Sequence, residues 1–412
     1  MWSVAAESTG TQRQESQRVK LRRLPEDFHV EELADVTVGG GPFALYRLTK
    51  KSMGTPEAIR AIVERWKVHR KRISFGGLKD RHAVTIQYLT IHNGPRKALR
   101  QSSIELEYLG QVSTPFTPAD FHANRFHLVL RDMQTIEAEE AQAALSHVQQ
   151  TGLPNYFDDQ RFGSLGDSSD WIARAWCLGD WERALWLALA DPHAHDSAPE
   201  KRQKQILREM WGEWAVCERA LDGSSRRGIV SQLVNNLKAG RDPDFRSALA
   251  RINVDVRGLY LSAYQGALWN RWLTRFIEDQ CHSESLIGFD LLSGRGVFPQ
   301  TLTSDAARIL NDAELPLPCA RIDRPEGIVG DLLDDVLREE SIELRQLRVK
   351  YPRDSFFSKG MRRVFLRPTV LMSQIDEDEL HDRRMKLTLS FELPRGAYAT
   401  MLVKRLTSKT RS

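Results

Sequence analysis

The sequence predicts an α+β fold: a mixed sheet with flanking helices, interrupted by a large, mainly helical α/β insertion. Two alternating stretches and one change of period carry that expectation. Phe126, Leu128 and Leu130 alternate with His127, Val129 and Arg131, and Met385, Leu387, Leu389, Phe391 and Leu393 alternate with Lys386, Thr388, Ser390 and Glu392. This is the pattern of strands with one buried face. Between them, from about Ser164 to Arg353, the pattern turns helical and Trp-rich, broken by loops such as Ala190-Asp191-Pro192-His193. Like strands on both sides of a helical block read as one discontinuous domain, 1–152 with 361–412, around an inserted one, 153–360.

Taken in order, the segment Ser3 to Gln17 is polar and lacks the apolar run of a secretory signal, so residues 1–18 are expected to be a flexible tail. Phe28 to Glu32 and Phe43 to Thr49 read as strands separated by the turn signal Gly39-Gly40-Gly41-Pro42. Thr55 is placed to cap a helix with Pro56 at its first position and Glu57 in its first turn, and Ile59, Ile62, Val63 and Trp66 share one face. The helix should end in the basic run Arg65, Lys67, Arg70, Lys71 and Arg72, leading through Ile73-Ser74-Phe75 and Gly76-Gly77 to a strand from Ala83 to Ile91. Asn155 to Gly163, rich in aromatic residues, opens the insertion and reads as a packed junction.

Asp80 is the leading catalytic candidate. It lies between Lys79 and Arg81, just after two glycines that allow a tight turn or the close approach of a ligand. Neighbouring cations favour the carboxylate, which suits a nucleophile or base and not a proton donor. In extended chain Lys79 and Arg81 point away from the face of Asp80, so each is assigned to substrate phosphate or a nearby acid.

Composition narrows the class. At 412 residues, with 41% hydrophobic and 28% charged residues, the chain is long enough for two globular domains. A net charge of +4 is modest, so a polyanion must be held by local clusters such as Arg65 to Arg72 and Arg96, Lys97 and Arg100. Cys177, Cys217, Cys281 and Cys319 are far apart, which argues for reduced thiols in a cytoplasmic setting and against a zinc site. His193-Ala194-His195-Asp196 has no second ligand pair and reads as surface loop. No apolar run approaches the roughly 20 residues of a membrane span. No Rossmann or P-loop glycine pattern calls for a nucleotide cofactor.

Five ordered blocks carry a resemblance. Gly77, Lys79, Asp80, Arg81, Ala83, Thr85 and Gln87 resemble the G-x-K-D-[RK]-x-A-x-T-x-Q signature of the TruD family of tRNA pseudouridine synthases. Pro25 to Glu32, Asn124 to Arg131, Leu153 to Gly163 and Leu393 to Thr400 are similar to its E-D-F-x-V-x-E, N-R-F-x-L-x-L-R, N-Y-F-x-x-Q-R-F-G and L-P-x-G-x-[FY]-A-T blocks. Ala123 stands where a glycine commonly precedes the asparagine block, and Tyr398 where phenylalanine is often found.

The resemblance implies a pseudouridine-synthase sheet with a family-specific insertion, catalysis by Asp80, no cofactor and no metal. It implies a tRNA substrate, most simply the uridine at position 13, and neither DNA nor a membrane as partner; oligomeric state stays open. Phe28, Phe126 and Tyr398 would line the pocket of a flipped uridine, and Asn124 would read its polar edges. From the residues alone, Phe28 and Phe126 read as ordinary core, since each lies in a strand. Two other classes fit parts of the pattern: an RNA-binding protein with no need of Asp80, and a nucleosidase or nuclease in which Asp80 activates water.

Overall fold

In the computed structural model, residues 20–408 are described apart from Arg22, His195, Asp222 and Ser224. The expected tail, 1–18, and His195 of the His-Ala-His-Asp loop therefore lie outside the described residues. Strands β1 (Lys20–Leu21), β2 (Phe28–Leu33), β3 (Phe43–Lys51), β4 (Ile73–Phe75), β5 (Val84–His92), β6 (Leu99–Gln101), β7 (Ile104–Val112) and β8 (Ala123–Met133) come first. After them come β9 (Leu153–Pro154), β10 (Leu286–Leu291), β11 (Gly294–Pro299), β12 (Glu314–Pro316), β13 (Met361–Arg363), β14 (Phe365–Leu366), β15 (Thr369–Glu377) and β16 (Met385–Pro394).

The chain divides into two compact units, one running to Gln150 and resuming at Arg367–Thr407, the other beginning at Thr151 and ending at Leu366. Segment 361–366, expected with the returning strands, belongs to the second unit. The reason is a short ladder: Phe365 pairs Pro154 and Leu366 pairs Leu153, so that unit closes where it opens.

The first unit is built on one mixed sheet in the order β15-β16-β8-β2-β5-β3-β7-β6, with β1 on β8 and β4 on β5. Its β2–β5 pair is parallel and the other pairs are antiparallel. The helix Thr55–Trp66 lays Ala58, Ile59 and Ile62 on Tyr46, Leu48, Leu89 and Leu106 to form one core. A second core gathers Leu45, Val112, Phe116 and Phe121. Tertiary burial of these apolar stripes, more than intrinsic propensity, stabilises such helices and strands.

The cap of that helix differs from expectation. Gly54 is the N-cap and Thr55 the first helical residue, because the Thr55 hydroxyl is engaged elsewhere. It donates to Gln87 Oε1 at 2.8 Å and accepts from the Lys79 amide at 3.0 Å.

The second unit is organised by the 27-residue helix Val254–Gln280, whose Tyr264, Leu268, Trp269, Trp272 and Phe276 are buried. The aromatic segment after β9 packs on it. Asn270 brackets Phe157 from both sides, accepting from its N–H at 2.9 Å and donating to its carbonyl at 2.8 Å. Tyr156 and Phe162 are fully buried in the same core.

Candidate active site

Strand β5 is shared by two partners along one edge, and the candidate site forms where they part. Its first residues pair β2, from His29–Val84 to Glu31–Ile86, and its later ones pair β4, from Phe75–Leu89 to Ile73–Ile91. At the gap the Tyr88 N–H has no strand opposite it, and Glu32 Oε2 accepts it instead at 2.9 Å. A buried amide needs such a partner. The loop Gly76 to Ala83, which carries Asp80, leaves from this gap.

Four polar side chains hold that loop. Gln87 donates to the Gly77 carbonyl at 3.1 Å, and Thr55 secures the Lys79 amide. Lys50, 1% exposed, donates through Nζ to the carbonyls of Asp80 and Met53, each at 2.7 Å, and reaches the Lys79 carbonyl at 3.4 Å. Burial pushes the Lys50 ammonium down to about 8, against the pull of the nearby Asp80 charge. Lys79 turns inward, to Asn124 Oδ1 at 2.8 Å and Glu32 Oε1 at 3.0 Å, over the Phe121 ring at 4.8 Å. The outcome is a half-buried Asp80 on a loop whose backbone is fixed from beneath.

The two glycines before it have different reasons. A Cβ on Gly76 would meet the Phe121 ring at 2.8 Å and Phe116 at 3.1 Å, whereas one on Gly77 would meet nothing within 4 Å. Neither has a positive φ. Gly76 is therefore required by packing, not by turn geometry.

The remaining candidates are placed as follows. Asn124 is the second residue of β8 and sits opposite Glu32 on one side and Leu393 on the other. Phe28 and Phe126 lie in the sheet at 2% and 6% exposure, edge to face at 6.3 Å, and Phe126 stacks on Phe391 at 5.4 Å. Arg81 is exposed and pairs with Glu57 at 3.0 Å. Tyr398 is half-buried in the turn after β16, at the sheet end marked by the Leu393–Asn124 pair. That turn is anchored by the Arg395 N–H donating to the His122 carbonyl at 3.0 Å, with the Arg395 guanidinium 5.9 Å from the Phe121 ring.

Sequence reading assigned no role to Lys50, Glu32, Phe121 or Arg395. Lys50 carried a usable signal: period 2 along β3 places it with Ala44, Tyr46 and Leu48, an otherwise apolar face. A charge on such a face calls for a reason.

A half-buried carboxylate on a loop at a gap in a mixed sheet, its backbone carbonyl held by Lys50, is an arrangement open to a substrate brought from solution. The chain belongs to the family of tRNA pseudouridine synthase D (TruD), whose family model matches residues 9–406. It is 28% identical to "Probable tRNA pseudouridine synthase D 2" of Methanocaldococcus jannaschii, over 94% of this chain and 91% of that one. It is 26% identical to "tRNA pseudouridine synthase D" of Aquifex aeolicus, over 94% and 98%. The crystal structure of a Methanosarcina mazei TruD protein matches with a TM-score of 0.68 at 24% identity, covering 95% of this chain and 94% of that one, a likeness of fold.

Proposed function

We propose that this chain isomerises a uridine of tRNA to pseudouridine, at position 13, with Asp80 as the acting carboxylate. The observation that carries the reading is the loop itself: Lys50 holds the Asp80 carbonyl, while Thr55 and the signature residue Gln87 fix the same loop at the Lys79 amide and the Gly77 carbonyl. The reaction breaks the bond from C1′ to N1, turns the base and joins C1′ to C5. N1 gains a proton and C5 loses one, so mass is conserved and no electron carrier enters. Asp80 serves by attack at C1′, by attack at C6, or by removing the 2′ proton.

Each route requires the nucleotide to leave its stack, which costs a few kcal/mol. Stacking on an aromatic side chain returns about 1–3 kcal/mol per base. In this reading Tyr398 supplies the apolar wall with the buried pair Phe126 and Phe28 packed behind it, and Asn124, oriented by Lys79, meets the polar edge of uracil. Arg81, at the exposed end of the loop, exchanges Glu57 for an RNA phosphate; a pair this exposed is weak enough to give way. The site works in the cytoplasm, where unmodified tRNA is met; among the described residues no helix is long and apolar enough to cross a membrane.

The decisive experiment maps carbodiimide-induced reverse-transcription stops on an unmodified tRNA transcript after incubation with protein. One new stop by a single uridine is expected. Asp80→Ala should abolish the stop while transcript affinity stays within about tenfold, as for a residue of the chemical step. Released uracil, shortened RNA or full activity in that variant would each end the reading.

A further inference from the structure

We propose that a basic cavity in the second unit is an RNA-binding site in its own right, holding phosphates of the tRNA substrate with one of its bases against Trp181. The inference rests on tRNA being the substrate and concerns a part of the chain that carries none of the residues around Asp80.

The cavity, about 540 Å³, lies between the end of the helix Ile172–Leu178 and the segment Arg345 to Lys350. That volume falls within the roughly 300–1,000 Å³ of ordinary ligand sites. Arg345, Arg348 and Lys350 are among its lining residues, and no carboxylate is. Arg345 pairs with Glu343, but Arg348 and Lys350 have no acidic partner among the described residues. Next along the chain, exposed Arg353 also has none, since Asp354 is taken by Arg257 at 2.9 Å. Burial pushes the Cys177 thiol in the wall up to about 12, so it stays neutral and adds no negative charge.

The aromatic half is equally ordered. Trp176 donates from its indole N–H to the Tyr351 carbonyl at 3.0 Å, which pins the basic segment against the helix. Arg246 stands 4.3 Å from the Tyr351 ring and 5.7 Å from that of Trp181. Trp181 itself is half-buried and lines the cavity. Unpaired cations beside a half-buried indole are the chemistry that holds single-stranded or splayed RNA: charge for the backbone, a flat face for a base. An acidic protein segment would use the cations but has no need of the indole platform.

The test titrates full-length wild type, Arg348→Ala/Lys350→Ala and Trp181→Leu against labelled unmodified tRNA transcript between about 50 and 200 mM salt. The double variant should bind about tenfold more weakly. Its slope of log affinity on log salt should fall by roughly 1.4–1.8, since each of the two lost phosphate contacts removes about 0.7–0.9. Trp181→Leu should weaken binding by about fivefold or more with the slope unchanged, because stacking releases no counterion. Wild-type affinity and slope in the double variant would overturn the proposal, whether the cavity then takes an acidic protein or nothing. Weakened binding with an unchanged slope in that variant would overturn it too, as a structural effect. Pseudouridine formation by wild type in the same tubes keeps the two readings apart: if it occurs while the double variant binds normally, this inference alone falls.

Discussion

Two buried cations in the first unit, Arg131 and Lys50, are held in opposite ways. Arg131, at the end of the β8 motif, is saturated by carboxylates: Asp27, Asp378 and Glu379, each at 2.9 Å. Burial works against its charge, and these hydrogen bonds outweigh it, so its proton is held more tightly than usual. Lys50 instead meets backbone carbonyls, and burial lowers its pKa to about 8. The first cluster is closed upon itself and joins the strand β2 end to the β15–β16 turn. The second leaves part of its charge uncompensated beside a half-exposed carboxylate. Charge that is fully matched holds a fold together, and charge that is partly matched is available to a substrate.

The strongest test of that contrast is Arg131→Met. It takes the guanidinium from the buried carboxylates of Asp27 and Asp378, leaving Asp27 the Leu24 amide and Asp378 two amides and His381, so it should cost about 3–5 kcal/mol in urea unfolding. It should also flatten the acid limb of stability. Hydrogen bonds from Arg131 and Lys386 lower Glu379 to about 2. Burial opposes the charge of Asp378, but the N–H groups of Asp132 and Leu380, with His381 and Arg131, hold its pKa below the usual value. A depressed carboxylate contributes stability above its unfolded pKa and loses it as pH falls through its folded one. Wild type should therefore lose stability between about pH 4.5 and 2, and Arg131→Met should lose distinctly less there. An unchanged urea midpoint would show that the cluster is not structural.

Lys50→Met should act the other way round. Two carbonyls lose a donor, but a buried charge is also removed, so stability at pH 7 should change by less than about 2 kcal/mol. Isomerisation should fall by about 100-fold, with transcript affinity near wild type, because Asp80 loses the bond that fixes its backbone and a shift of about 1 Å costs that much. Lys50 acts here as a positioning residue. Its lowered pKa means the unfolded chain binds the proton more tightly, so stability should rise with pH between about 8 and 10.5 in wild type. That rise should be missing from the variant. A variant with full kcat and the same alkaline rise would remove Lys50 from the site.

Periodicity made the strands and the helix after Gly54 legible, since alternation and a 3.6-residue stripe are properties of the sequence itself. The α+β class and the mixed sheet emerged as expected. Side-chain allegiance was not legible. Thr55 looked like a cap because capping is local, whereas its hydroxyl bonds to Gln87 across the core. The basic run gave no sign of its own bonds to the fold: Arg72 Nε donates to the His92 carbonyl at 2.7 Å and Arg70 to that of Ile73 at 3.0 Å. Lys79 was expected on substrate phosphate or a nearby acid, but which acid was not legible: the sheet brings Glu32, with Asn124, beneath it. The Arg70 bond is local, but the partners of Thr55, Arg72 and Lys79 are distant in sequence, so no window along the chain contains them.

The smallest effects separate the two glycines and ask whether the loop is fixed at its start as well as at Lys50. Gly76→Ala drives a methyl group into Phe121 and Phe116, whose rings are buried and cannot swing away, so it should cost about 1–3 kcal/mol and displace the loop. Activity should fall with it, in the same sense as Lys50→Met. Gly77→Ala meets open space and an ordinary φ, so stability should stay within about 0.5 kcal/mol. With the loop undisturbed, any loss of activity in Gly77→Ala then reports contact between that backbone and RNA, read as a rise in KM at constant kcat. Equal destabilisation by the two substitutions would mean that Phe121 does not anchor the loop and that Lys50, Thr55 and Gln87 position Asp80 alone.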